Sequence, residues 1–269
     1  MWLYILGAVI LLVLAVYLVL IAPGKRKEIK EYVGVRFAHR GLYNDERAEN
    51  SMSAFRAAVE AGYGIELDVR LSKDGELVVF HDDTLTRVAK IEGRVDEFTA
   101  DELSEIKLSD TEDTVPKFSD VLKLVDGRVP LLVEIKEDAG NYKVSSRTAE
   151  ILKEYNGRFI VESFNPLSLH NFGKLYPTPA LGVLSMNYFK EEKYKKPLYF
   201  VLKYLLLNRF ASPSFIAFCH TDKSLSLTLL KKLFGVVTFA WTVRSPEEER
   251  AALKAGYSGV IFENYIPED

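Results

Sequence analysis

Glu66 and Asp68 lie two residues apart in the run Gly64-Ile65-Glu66-Leu67-Asp68-Val69, so on a strand both side chains point to one side. A second apolar run carries Glu134 and Lys136 at the same spacing. If the two runs line the inside of one sheet, three carboxylates share an enclosed space with only Lys136 to pair them. That is costly unless a metal is bound. Glu66, Asp68 and Glu134 therefore form a candidate all-oxygen site for one hard divalent cation, Mg2+ or Ca2+, rather than zinc. Another apolar run ends in His39-Arg40-Gly41, which places an imidazole and a guanidinium at its tip with a glycine to let the chain turn. His81 follows residues 76–80 and precedes Asp82 and Asp83, either of which can orient the ring. Together these groups suit the opening of a phosphate diester. Arg40, Lys136 and the cation offset charge on the phosphoryl oxygens, one imidazole takes a proton from the nucleophile, and the other protonates the leaving alkoxide. His170 and His220 read as structural, and Cys219 as a small buried hydrophobe after an apolar strand.

Groups so far apart in sequence need a scaffold that brings strand ends together. Past Glu31, short β-branched or apolar runs alternate with helical stretches, the pattern of successive βα units and a parallel sheet. Strands are expected near 33–38, 64–71, 131–135, 159–161, 180–184, 215–218, 237–242 and 259–262. Eight strands suit a closed (β/α)8 TIM barrel, whose enzymes collect catalytic groups at the C-terminal strand ends. Ile65, Leu67, Val69, Leu132, Val133 and Ile135 are the expected outward, helix-facing set. Residues 51–61 read as a helix capped by Asn50 or Ser51. Residues 246–255 read as another, capped by Ser245, begun by Pro246 and stopped by Gly256. Residues 81–116 interrupt the rhythm after the second strand and contain a capped turn at 98–103, which marks an ordered insertion. The stretch 188–210 mixes Tyr, Lys and long apolar residues. It is expected to be a barrel helix with its core face on the strands; the alternative is an interfacial helix on lipid headgroups. Too few residues follow the last strand for a full eighth helix, so the Lys30 region or the end of the N-terminal helix is expected to cover that gap.

The chain of 269 residues is 48% hydrophobic and 27% charged, which suits one large globular domain. A net charge of −3 lacks the basic excess of a nucleic-acid binder. A single cysteine excludes an internal disulfide and any multi-thiolate zinc site. From Trp2 to Ala22 every residue is apolar, aromatic or Gly, long enough to cross a bilayer and too long for a signal-peptide core. Lys25, Arg26, Lys27 and Lys30 follow it and no Lys or Arg precedes it, so the positive-inside rule places the catalytic part on the cytoplasmic side of the cell membrane. The expected division is an anchor at 1–23, a basic linker at 24–32 and a barrel domain at 33–269.

At these residues the sequence resembles the glycerophosphodiester phosphodiesterase family. The motifs are Ala38-His39-Arg40-Gly41, Glu49-Asn50-Ser51, Glu66-Leu67-Asp68-Val69, Val79-Phe80-His81-Asp82, Val115-Pro116-Lys117-Phe118, Glu134-Ile135-Lys136 and Ala240-Trp241-Thr242-Val243, in order from about Val33 to Glu263. The resemblance implies a barrel, a divalent cation on Glu66, Asp68 and Glu134, and acid/base roles for His39 and His81. It also implies phosphate contacts from Arg40 and Lys136, and Trp241 as a wall for the glycerol or alcohol. The implied reaction releases glycerol 3-phosphate and an alcohol from glycerophosphodiesters. Two further readings stay open: a membrane-associated lysophospholipase D acting on lysophospholipids, and a catalytically silent barrel that binds phosphate headgroups. Arg244 stands where the family commonly has Asn, and Glu263-Asn264 where the last strand commonly ends in Thr-Asp, so substrate recognition is expected to differ.

Overall fold

The computed structural model describes residues 1–24, 27–138 and 140–268, the side chains of Lys27 and Lys193 excepted. Of the basic flank after the apolar run, Lys25 and Arg26 therefore lie outside the described residues. The strands are β1 (Arg36–Ala38), β2 (Gly64–Leu71), β3 (Leu77–Val79), β4 (Leu131–Ile135), β5 (Phe159–Ser163), β6 (Leu181–Ser185), β7 (Phe215–Cys219), β8 (Val237–Val243) and β9 (Gly259–Phe262). All but β3 run parallel, each beside its neighbour in chain order, and β1 pairs with both β2 and β9, closing the expected eight-stranded barrel. β3 is an antiparallel hairpin partner of β2. The helices are α1 (Trp2–Ile21), α2 (Met52–Glu60), α3 (Thr86–Ala89), α4 (Ala100–Ser104), α5 (Phe118–Val125), α6 (Lys143–Lys153), α7 (Pro166–Leu175), α8 (Pro197–Lys203), α9 (Asn208–Ala211), α10 (Leu225–Leu229) and α11 (Pro246–Lys254).

Two apolar shells follow from strand alternation. Leu67, Val133, Val161 and Ile216 face outward to the helices. Phe37, Leu132, Ile160, Phe215, Phe239 and Ile261 fill the lower barrel, and the Phe37, Phe215 and Phe239 rings meet edge-on. Leu132 is thus inward, not outward as expected; it lies two residues before Glu134 on β4, and the pleat puts both on one face. Gly182 is the small partner that admits Phe215, since a Cβ there would lie 2.0 Å from its ring. The floor is closed by a 3-10 turn, Lys27–Tyr32, whose Ile29 and Tyr32 are buried, with Tyr32 donating to Phe159 O at 3.0 Å.

The Ser51 hydroxyl caps α2 by accepting from Ala54 N, and Ser245 caps α11 by accepting from Glu248 N. The insertion carries its own core of Phe80, Leu85, Val88, Val95, Leu103 and Leu108, with a Thr99–Glu102 capping box. Three expectations need correction. β1 is only three residues long, because Gly34 turns the chain at φ 84°. The 188–210 stretch is not one barrel helix: two 3-10 turns precede α8, no residue of α8 is fully buried, and Leu205 at φ 57° separates it from α9. Among the described residues, the gap beside β9 is covered neither by the Lys30 region nor by α1. The C-terminal tail lies there instead, with Tyr265 against Phe262 and Tyr63 donating to Pro267 O.

Candidate active site

The upper inner face of β2 and β4 presents Glu66, Asp68 and Glu134, and one oxygen of each lies within 4.8 Å of the others. All three are buried. Register explains the convergence: Asp68 sits opposite Glu134, and Glu134 opposite Glu162 on β5. Glu162, a fourth buried carboxylate that the sequence reading did not single out, has one oxygen with no hydrogen-bond partner. Lys136 Nζ lies 2.6 Å from Glu134 Oε1 and 3.1 Å from Asp68 Oδ1, but off the line of a hydrogen bond to the latter. Asp68 Oδ1 is buried and accepts no hydrogen bond. A close set of carboxylate oxygens with an orphaned lone pair fits a hard divalent cation.

The electrostatics carry the same strain. Burial, then the charges of Asp68 and Glu134, push Glu66 well above the usual carboxylate range. Burial, then Glu134 and Glu66, do the same to Glu162, and burial outweighs Lys136 in raising Glu134. Burial opposes ionisation of Asp68 too, yet Lys136, His81, Arg40 and a hydrogen bond from Asn50 together hold it ionised far below that range. Asn50 Nδ2 donates to Asp68 Oδ2 at 2.8 Å.

His39 follows β1, and its Nδ1 meets Glu263 Oε2, just past β9, at 2.5 Å. Tyr43 donates to the same oxygen at 3.0 Å, and Arg244 Nε donates to Glu263 Oε1 at 2.7 Å. Despite burial, the His39 hydrogen bond keeps the Glu263 carboxyl down at about 2. Burial, helped by Arg40, lowers His39 below its ordinary value even against the pull of Glu263. His81 Nδ1 contacts Asp82 Oδ1 at 2.6 Å, and the His81 carbonyl is clamped by Arg70 Nε and Nη2 at 2.9 and 2.7 Å. Asp82 is thus the partner of His81, while Asp83 pairs with Arg70.

Arg40 adopts a left-handed φ of 57°, which directs its N–H to Glu66 Oε2 at 2.9 Å. Its Nη1 donates to Glu49 Oε1 at 2.7 Å, and its buried Nε has no hydrogen-bond partner. Gly41 at φ 82° must be glycine, because a Cβ would lie 2.9 Å from Ala54 of α2. Glu49 and Asn50 belonged to a recognised motif, but their roles depend on contacts that only the fold creates. The same holds for Glu263, whose position had read only as a departure in substrate recognition. Trp241, on β8, stands edge-on to Phe164 with ring centroids 5.6 Å apart, and Lys136 Nζ lies 5.9 Å from the Phe164 ring centre. Phe164 was not foreseen either. His170 stacks on Phe210, and His220 contacts Thr242 O, both away from this cluster. Cys219 is half-buried at the end of β7 rather than buried as expected, because the strand ends there in a loop.

The glycerophosphoryl diester phosphodiesterase family matches residues 39–266. A glycerophosphodiester phosphodiesterase of Caldanaerobacter subterraneus is 32% identical, over 84% of this chain and 93% of its own. The solved glycerophosphodiester phosphodiesterase of Thermotoga maritima superposes with a TM-score of 0.66 at 27% identity, covering 85% of this chain and 94% of that one. An Oleispira antarctica phosphodiesterase, solved with the product sn-glycerol-3-phosphate, shares the fold with a TM-score of 0.72 at 20% identity, covering 87% and 94%. The match begins at His39 and runs through the barrel to the C-terminal tail, so the chain belongs to the glycerophosphoryl diester phosphodiesterase family and is a phosphoric diester hydrolase.

Proposed function

We propose that this chain hydrolyses glycerophosphodiesters to glycerol 3-phosphate and an alcohol, with one divalent cation, Mg2+ or Ca2+, held by Glu66, Asp68 and Glu134. The observation that carries this reading is the closeness of three buried carboxylates to one another beside two imidazoles, each braced at Nδ1 by its own carboxylate. Such a cation supplies positive charge against the phosphoryl oxygens as their charge builds.

The protein's own groups divide the remaining work. Arg40, whose Nε faces Asp68 Oδ2 at 3.6 Å without a hydrogen bond, and Lys136 hold the phosphate. Glu263 accepts the Nδ1 proton of His39, which leaves Nε2 bare, and the lowered pKa of the ring keeps it neutral as the general base. His81, with Asp82 against Nδ1 to stabilise the imidazolium, delivers a proton to the leaving alkoxide. The nucleophile that His39 deprotonates is either water or the glycerol 2-hydroxyl. Trp241 and Phe164 wall the organic part of the substrate.

α1 is long and apolar enough to cross a membrane. We read it as a single-pass anchor, with the barrel on the cytoplasmic side. The test uses the full chain in detergent with glycerophosphocholine, assaying glycerol 3-phosphate with Mg2+, with Ca2+ and with EDTA, beside His39→Ala. Release that needs a divalent cation and vanishes in the variant is expected. Release that survives EDTA sinks the cation site, and no release under any condition sinks the assignment of substrate.

A further inference from the structure

We propose that α1 turns the catalytic mouth toward the bilayer, and that the 188–211 segment forms a groove for the hydrocarbon tail of a single-chain phosphodiester lipid drawn from it. This rests on the active-site reading above and adds the substrate class and the direction of entry.

The direction follows from where α1 touches the barrel. Its last residue, Ile21, is buried beside α9, with Asn208 Nδ2 donating to Ile21 O at 3.1 Å, and Gly24 N donates to Pro213 O at 2.7 Å. Both contacts lie just ahead of β7, at its N-terminal end. One turn earlier, Tyr17 OH meets Ser226 Oγ at 2.8 Å, in the first turn of α10, which follows the C-terminal end of β7. Traced back from Ile21, the helix therefore climbs from the floor of the barrel toward its catalytic rim. Residues 2–16 extend past that contact and are almost wholly exposed. They make up most of the stretch that is apolar enough to enter the hydrocarbon core. The bilayer therefore lies on the side of the catalytic rim. The rim is suited to that contact: Leu198, Phe200 and Leu225, on α8 and α10, are 53%, 49% and 64% exposed.

The groove connects this rim to the chemistry. It has a volume of about 460 Å³, with Glu134 and Lys136 at one end and Leu198, Tyr199, Leu202 and Leu207 along the other, within the usual range of about 300–1,000 Å³ for ligand sites. Aromatic rings line the way without a break: Trp241 to Phe164 at 5.6 Å, Phe164 to Tyr188 at 6.4 Å, Tyr188 to Tyr199 at 5.3 Å. A small, charged glycerophosphodiester is walled by Trp241 and Phe164 alone and has no use for the continuation through Tyr188 and Tyr199. A lipid with one tail does, since its phosphate reaches Lys136 while its chain remains in apolar surroundings. The bond chemistry is unchanged: water supplies the oxygen that joins phosphorus, the P–O bond to the alcohol breaks, and the alcohol leaves with a proton, here from a lysophospholipid.

The test places the full chain in phosphatidylcholine nanodiscs and follows choline release from lysophosphatidylcholine and from glycerophosphocholine, in the unaltered protein, in Leu202→Trp, which fills the groove, and in Leu198→Asp, which charges its rim. The ratio of kcat/KM for the lysolipid to that for glycerophosphocholine is expected to fall about four- to fifteenfold in both variants, as expected when one or two methylenes lose their burial. An unchanged ratio overturns the proposal, as does unaltered protein that cleaves only glycerophosphocholine, which leaves the active-site reading intact. If neither substrate is cleaved, that reading fails as well. Nitroxide labels on Phe200→Cys and Leu233→Cys, in a Cys219→Ser background, test orientation. The label at 200 should meet lipid-dissolved oxygen and the label at 233 aqueous relaxant; the reverse overturns the direction of entry.

Discussion

At the scale of single residues, the orientation of His39 depends on a carboxylate that is itself held twice. Tyr43 and Arg244 both donate to Glu263. Two of the positions at which the chain departs from the common family pattern, Arg244 and Glu263, are therefore one ion pair, and its task is to fix an imidazole. Glu263→Gln keeps the shape and removes the charge. It should lower kcat/KM by about 10²-fold, within the range for general acid–base groups. The sign of the accompanying pH effect is set by Glu263 raising the His39 pKa, against burial that lowers it. Without that charge the ring loses its proton more readily, so the acid limb of the kcat/KM profile should move to lower pH; a limb that stays or moves up contradicts the role. Glu66, Asp68, Glu134 and Lys136 were legible because the i, i+2 spacing on an apolar strand is visible in one dimension. Glu162 was not, since its neighbour in the cluster, Glu134, is set by the β4–β5 register.

At the scale of elements, the β1–α2 connection shows how closely the site depends on backbone shape. Gly41→Ala adds a Cβ at a left-handed φ and against Ala54. We expect a stability loss of about 1–3 kcal/mol in denaturant unfolding, with a larger fractional loss of kcat/KM because the Arg40 N–H of this turn donates to Glu66 on β2. Full activity with lowered stability alone would separate the turn from the chemistry. Strand order and the capped helices were readable because period, caps and stops agree along the chain. The 188–211 segment misled because Tyr, Lys and Leu at mixed spacing resemble an amphipathic helix. Pro197 disfavours helix in the residue before it, and Leu205 takes a left-handed φ, so the helix divides. The cover over the β9 side was equally hidden, because it consists of a tail without periodicity.

At the scale of the whole molecule, the barrel stores like charge in its upper layer. Glu66, Glu134 and Glu162 are all raised above the ordinary value of 4.5. A carboxyl raised in the folded state binds more protons folded than unfolded, so stability falls as pH rises through and above that ordinary value. The metal-free protein should lose thermal stability from about pH 5 upward, and Mg2+ or Ca2+ should restore it. Glu66→Gln should raise the melting temperature of the metal-free protein and abolish the cation-induced rise. A cation response that survives in the variant would place the ion elsewhere.

The most direct test of two imidazoles dividing acid from base is to compare glycerophosphocholine with glycerol phospho-p-nitrophenol, whose leaving group needs no proton. His81→Ala should lose about 10²–10⁴-fold on the first substrate and recover most of that on the second, while His39→Ala stays impaired on both. Equal losses for both variants on both substrates would contradict the assignment of His81 as the acid and His39 as the base.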